Sequence, residues 1–146
     1  METKFYYCPI CGNLVLSVVD SGQVPMCCGQ KMKVPEPNTT DGKVEAHMPK
    51  VTCQQVGGKE KPVYNVDVCV GSMPHPMTPE HHIDFIFMAS ESGGQLKHLN
   101  PDHPAVAHFV TCSPPVAVFA YCNLHGLWRA IPVMAHCSTK DQTGCK

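Results

Sequence analysis

Neither charge sign is in excess in this sequence, where 11 Lys and Arg stand against 12 Asp and Glu and no basic run occurs. A chain so balanced lacks the electrostatic footprint of a nucleic-acid binder, so no nucleic acid is expected as a partner. Long apolar runs are missing too, which excludes a membrane-spanning helix and leaves no membrane partner expected. A long amphipathic helix, an internal repeat and a low-complexity tract are also absent, so neither a helical bundle nor a repeat array is expected. The first residues, Met1-Glu2-Thr3-Lys4-Phe5, carry no basic segment followed by an apolar stretch. No export signal is therefore expected, and the expected compartment is a reducing cytoplasm.

Against those absences, ten cysteines in 146 residues are conspicuous. In a secreted chain they would suggest disulfides; with pairs at ligand spacing and no export signal, metal binding is the stronger reading. The 43% hydrophobic content is that of a globular protein of one ordinary domain, or of a small domain joined to a medium one.

The cysteines begin with Cys8-Pro9-Ile10-Cys11-Gly12 and continue at Cys27-Cys28-Gly29. Cys-x2-Cys puts two thiolates on one tight turn, the usual knuckle of iron–thiolate and zinc sites. The adjacent Cys27 and Cys28 point apart on extended backbone, so both reach one metal only if the chain kinks there. Between the pairs Leu14, Leu16 and Val18 alternate as in a short strand, and Ser21-Gly22 reads as a turn. A unit ending near Pro37 buries too little apolar surface to fold alone, so a metal must supply much of its stability. A purely structural zinc ribbon is the competing reading.

Residues 35–42, Pro-Glu-Pro-Asn-Thr-Thr-Asp-Gly, read as a linker. Beyond it Val66, Val68 and Val70 fall on one face of a strand and Asn65, Asp67 and Cys69 on the other. Apolar runs at Ile83–Met88 and Val116–Tyr121 add further strands. Short strands separated by turns predict an antiparallel β-sandwich. The expected organisation is a metal-binding domain over residues 1–37, a sandwich over 38–136 and a tail over 137–146.

Three strings supply the remaining chemistry: Glu45-Ala46-His47-Met48-Pro49, Pro74-His75-Pro76-Met77 running on to His81-His82, and Tyr121-Cys122-Asn123-Leu124-His125-Gly126. They offer several imidazoles and one thiolate. Four imidazoles with one thiolate leave one position open for a substrate, which suits iron better than a closed structural zinc site.

In these motifs, and in their order from about Tyr7 to Trp128, the chain resembles desulfoferrodoxin, the two-iron form of superoxide reductase. The resemblance implies a mostly β fold, with a small desulforedoxin-like domain followed by an immunoglobulin-like antiparallel sandwich. It implies two irons per chain. Cys8, Cys11, Cys27 and Cys28 match a four-cysteine iron centre, where zinc is the alternative metal. His47, His75, His81, Cys122 and His125 match the four imidazoles and one thiolate of a catalytic iron(II) centre. Such a centre reduces superoxide by one electron to hydrogen peroxide opposite the axial sulfur. Glu45 matches the residue thought to bind oxidised iron after product leaves. A small electron donor such as rubredoxin and a homodimer are also implied.

His82 follows His81 directly and points to the other face on extended backbone; the spacing from His75 selects His81. His98, His103, His108 and His136 fall outside the motifs and are read as packing or surface residues. The family string has Lys where this chain has Ala46. Loss of that cation slows encounter with an anion or alters protonation, but removes no ligand. Lys50 is a candidate substitute. Cys53, Cys69 and Cys112 are read as small buried hydrophobes, and Cys137 and Cys145 as spare thiols of the tail, with a redox switch between these two as the alternative. The competing functions are a non-catalytic two-iron electron carrier, a zinc-stabilised binding module and a dismutase.

Overall fold

The structure of the protein is a computed structural model that describes residues 2–40 and 42–133. It forms two compact units, one over Met1–Glu36 and one from Pro37 onward. His136, Cys137 and Cys145, and the readings attached to them, lie outside the described residues. Among the described residues no helix is long and apolar enough to cross a membrane.

In the first unit β1 (Lys4–Tyr7) pairs antiparallel with β2 (Leu14–Ser17), and β3 (Met26–Cys27) with β4 (Gln30–Lys31). Tyr7 and Lys33 exchange backbone bonds of 2.7 and 2.8 Å that join the two hairpins. The buried core is Tyr6, Cys8 and Met32, with Cys27 packed against it. So small a core places much of the stabilising work on the cysteine cluster. The alternation stops one residue earlier than the sequence suggests: β2 ends at Ser17, and Val18 is exposed.

The second unit is a sandwich of two antiparallel sheets. One orders β5 (Pro49–Val56), β6 (Val63–Val70) and β9 (Val106–Thr111). The other orders β11 (Gly126–Ala130), β10 (Pro115–Cys122), β7 (Ile83–Ser90) and β8 (Gly93–His98). Alternation on β6 sends Val66, Val68 and Val70 inward, where they meet Ile86 and Met88 of β7 and Val118 and Ala120 of β10. From Phe85 to Ala89 strand β7 is an unbroken apolar run because it is covered on both faces: Phe85 stacks on Tyr121 at 5.8 Å on the side away from Ile86. Among the described residues the one helical segment, α1 (Val44–His47), is a single turn.

Three cysteines depart from the sequence reading. Cys112 is free and exposed, because it lies in the turn just past β9. Cys53 and Cys69 are buried as expected, but both are disulfide-bonded. Cys53 stands across from Val66 on the core side, whereas Cys69 stands across from Lys50 on the other side of the sheet. Opposite faces and an offset of about 10 Å along the strands rule out a bond between the two, since a disulfide holds its Cα atoms within about 7 Å.

Candidate metal centres

The first cluster is built by two turns. The Gly12 N–H donates to the Cys8 carbonyl at 2.9 Å, closing the knuckle, and Gly12 takes φ +81° to let it turn. At the second pair the chain kinks as the adjacent cysteines require: Cys28 has φ +49°, in the left-handed region, followed by Gly29 at +77°. A non-glycine residue there is uncommon, and here it swings the Cys28 sulfur to the side of Cys27. The four sulfurs lie within 4.8 Å of one another, Cys11 and Cys27 at 3.6 Å. Four sulfurs each about 2.3 Å from one ion are about 3.8 Å apart, so this set fits a tetrahedral metal–thiolate site.

Charge is shared unevenly among these thiols. Backbone N–H groups of Cys11 and Ile10 pull Cys8 down to about 7, against burial. Cys28 is pushed up to about 12, first by its neighbours Cys11 and Cys8 and then by burial. A cation would relieve that repulsion. Cys8 is buried, but Cys11 and Cys28 are exposed.

The second cluster gathers side chains from three segments. His47 ends α1, His75 and His81 lie between β6 and β7, and Cys122 and His125 flank the β10–β11 turn. Ligand atoms of His47, His81, Cys122 and His125 all fall within 4.8 Å of one another. The His75 ring completes the set, with its centroid 4.8 Å from that of His47 and 4.6 Å from that of His81.

Backbone carbonyls fix how the rings face. His47 Nδ1 bonds the Lys43 carbonyl at 2.8 Å and His75 Nδ1 bonds the Pro76 carbonyl at 2.7 Å. A carbonyl only accepts, so the proton sits on Nδ1 in both rings and each Nε2 presents a lone pair to the cluster. His75 Nε2 and His81 Nε2 are buried with no hydrogen-bond partner. His125 turns its Nδ1 inward, 3.0 Å from His47 Nε2 and 3.6 Å from Cys122 Sγ. Buried acceptors without donors are costly, and lone pairs converging on one point are what a cation relieves. The residues fit a soft-to-borderline metal held by four imidazoles and a thiolate.

Burial, foremost, holds His75 down at about 4, and it lowers His47 and His81 as well. These rings are therefore neutral at pH 7 and ready to donate lone pairs. Burial pushes the Cys122 thiol up, against the backbone N–H groups of Leu124 and His125. Without a metal it holds its proton at neutral pH.

His82 stays out of the cluster: its ring bonds the Thr78 carbonyl at 2.9 Å and Asp84 at 2.8 Å. His108 pairs with Asp67 at 2.7 Å, and His98 and His103 are exposed. Glu45 is exposed and Ala46 half-buried in α1. Lys50 lies on β5 and position 46 in α1, so the two do not share a strand. It lines a cavity of about 770 Å³ that also touches His75.

Several supporting residues were not legible as such. Trp128 is fully buried, lies 4.8 Å from His47 with 19° between the planes, and donates Nε1–H to the His125 carbonyl at 3.1 Å. The segment read as a linker is strapped onto β11: Asn38 Nδ2 donates to the Arg129 carbonyl at 3.0 Å, and the Arg129 N–H returns a bond to Asn38 Oδ1 at 2.8 Å. Thr40 bonds the His125 carbonyl. That strap seats Gly42 on the cluster, where a Cβ would lie 3.0 Å from both His125 Cβ and His47 Cε1. Asn and Gly in this stretch signal turns; what they pack against is a tertiary fact.

Comparison with known proteins agrees with this geometry. A family model described as desulfoferrodoxin matches residues 39–131. A desulfoferrodoxin homolog of Archaeoglobus fulgidus is 40% identical over 128 residues, 87% of this chain and 95% of that protein. The desulfoferrodoxin of Nitratidesulfovibrio vulgaris is 35% identical over 88% of this chain and 96% of its own. A Pyrococcus horikoshii protein named superoxide reductase is 36% identical over 61% of this chain and 87% of its own length. The solved structure of the superoxide reductase from Treponema pallidum is similar with a TM-score of 0.67 at 30% identity, over 89% of this chain and 99% of that one.

Proposed function

Because this chain belongs to the desulfoferrodoxin family, we propose that it is a superoxide reductase, taking superoxide, one electron and two protons to hydrogen peroxide. The observation that carries this reading is the convergence of four imidazoles and one thiolate, with two buried Nε2 atoms lacking any protein partner. His47, His75, His81, Cys122 and His125 would hold an iron(II) ion, and such an ion would supply the electron in this reading. The chain supplies the rest. The Lys43 and Pro76 carbonyls hold two rings in the tautomer that donates from Nε2. Cys122 gives up its proton when metal enters and becomes an electron-rich donor.

In the same reading the four-cysteine cluster is a second iron centre. Its exposed Cys11 and Cys28 give a small donor such as rubredoxin short access to the metal. Residues 1–37 then act as the electron-handling domain and residues 38–136 as the reducing domain. A homodimer belongs to this reading too. Glu45, exposed on α1, is the carboxylate proposed to engage the centre after product leaves.

Ala46 favours a second reading. With a methyl where the family motif carries an ammonium, attraction of the anion is weakened. The chain would then carry electrons between two irons without turning over superoxide. Rapid mixing of the reduced, iron-loaded protein with a superoxide pulse separates the two. A reductase oxidises its His/Cys iron at a rate proportional to superoxide concentration. A carrier shows no such fast phase.

A further inference from the structure

We infer that Asn123 is a positioning residue of the imidazole–thiolate centre, a strut that locks the backbone on both sides of His81 to the Cys122 turn. The inference rests on reading that cluster as a metal site. His47 and His75 are each aimed by a carbonyl on Nδ1, but the hydrogen bonds of His81 run through its backbone, to Thr78. Its ring direction must therefore come from how that backbone is held.

Asn123 holds it from both neighbours. Its Nδ2 donates to the Glu80 carbonyl at 2.9 Å, and its Oδ1 accepts the His82 N–H at 2.8 Å. Its own N–H donates to the His82 carbonyl at 3.1 Å. Main-chain pairing of β10 with β7 ends at Cys122 opposite Ile83, after an irregularity between Tyr121 and Cys122. Asn123 then adds one further rung, in which its side chain takes the place of a strand carbonyl. His81 and Cys122 come from segments 41 residues apart, and this rung ties the neighbours of one to the neighbour of the other.

Asn123 is exposed, so apolar burial explains little of its presence. An amide is what the position requires, since it accepts from one N–H and donates to one carbonyl at once. Aspartate keeps the first bond and sets a negative oxygen against the Glu80 carbonyl. Alanine loses both. Partners that orient metal ligands in this way are worth roughly 10–100-fold in metal affinity.

Cobalt(II) titration of the metal-free full chain tests this, because cobalt reports coordination by its visible spectrum without any turnover. Affinity at each centre is read by competition with a chelator. The expected order at the His/Cys centre is wild type tightest, then Asn123→Asp, then Asn123→Ala, the last weakened about 10-fold or more with shifted ligand-field bands. Affinity and bands of the four-cysteine centre, in the same molecule, stay as in wild type and show that the first unit is intact, while an unchanged near-ultraviolet circular dichroism signal of the buried Trp128 shows that the sandwich is folded. Identical His/Cys spectra and affinities in all three proteins overturn the inference and leave the metal site standing. Failure of the wild type to load a second cobalt overturns the metal-site reading, and the inference with it.

Discussion

Trp128 and His47 lie face to face, 4.8 Å apart, and the indole N–H of the same Trp128 holds the carbonyl of His125. One side chain thus steadies two members of the cluster. Trp128→Phe should keep the stack but lose the bond, costing about 1 kcal/mol of stability. Trp128→Ala removes a fully buried side chain and should cost about 3–5 kcal/mol. Urea unfolding of the metal-free proteins measures both, and equal loss in the two variants would remove the stack from the account.

Gly42 is the second pressure point. A methyl there meets His125 Cβ and His47 Cε1 at 3.0 Å, tighter than ordinary contact, so both rings must shift by tenths of an ångström. Gly42→Ala should weaken metal binding at the His/Cys cluster about 10-fold and leave the four-cysteine cluster unchanged. Metal-by-metal competition titration reads the difference.

Acid should unfold the metal-free protein through its imidazoles. His75 is held near 4, against 6.5 for an unperturbed ring, and His47 and His81 are lowered too. Below about pH 6.5 the unfolded chain takes up protons that the folded chain refuses. The stability these rings contribute is therefore complete above about pH 6.5 and is lost progressively as pH falls toward about 4. Melting temperatures measured across that window should drop steadily, and His75→Gln should flatten the slope.

Metal entry should release a proton. Burial keeps Cys122 a thiol in the metal-free protein, and a metal binds only the thiolate. In weak buffer at pH 7, loading the His/Cys centre should acidify the solution, and Cys122→Ser should reduce the proton count. An unchanged count would mean that the thiol is already ionised.

Cys53 and Cys69 should resist alkylation until the denatured protein is treated with a reductant, while Cys112 reacts at once. Mass spectrometry of peptides alkylated before and after reduction decides this. Labelling of both without reductant would return them to the class of free thiols.

Local signals carried much of this molecule into view. Valines at alternate positions marked β6 and its inward face, and Cys-x2-Cys marked a knuckle whose glycine turns as required. The kink at Cys28 was legible as a necessity of two adjacent ligands. His82 was separated from His81 on the premise of extended backbone, whereas both lie just before β7 and the bonds of His82 to Thr78 and Asp84 hold it aside. Trp128, Gly42 and Asn123 escaped notice in their roles because each acts on segments distant in sequence. The bonded state of Cys53 and Cys69 escaped for a related reason: strand burial was readable, and a sulfur partner was not.

The spacing of the two donor sets bears on how the protein matures. The thiols of the four-cysteine cluster lie between residues 8 and 28 and are complete once one short segment has been made. The other set spans residues 47 to 125 and meets only after β7 has paired with β10. Closing so long a loop is slow, and N-terminal segments leave the ribosome first. One centre can thus fill on a nascent chain and help to shape its own surroundings. The other draws on strands that are far apart in sequence, so its donors come together only as the sandwich itself forms.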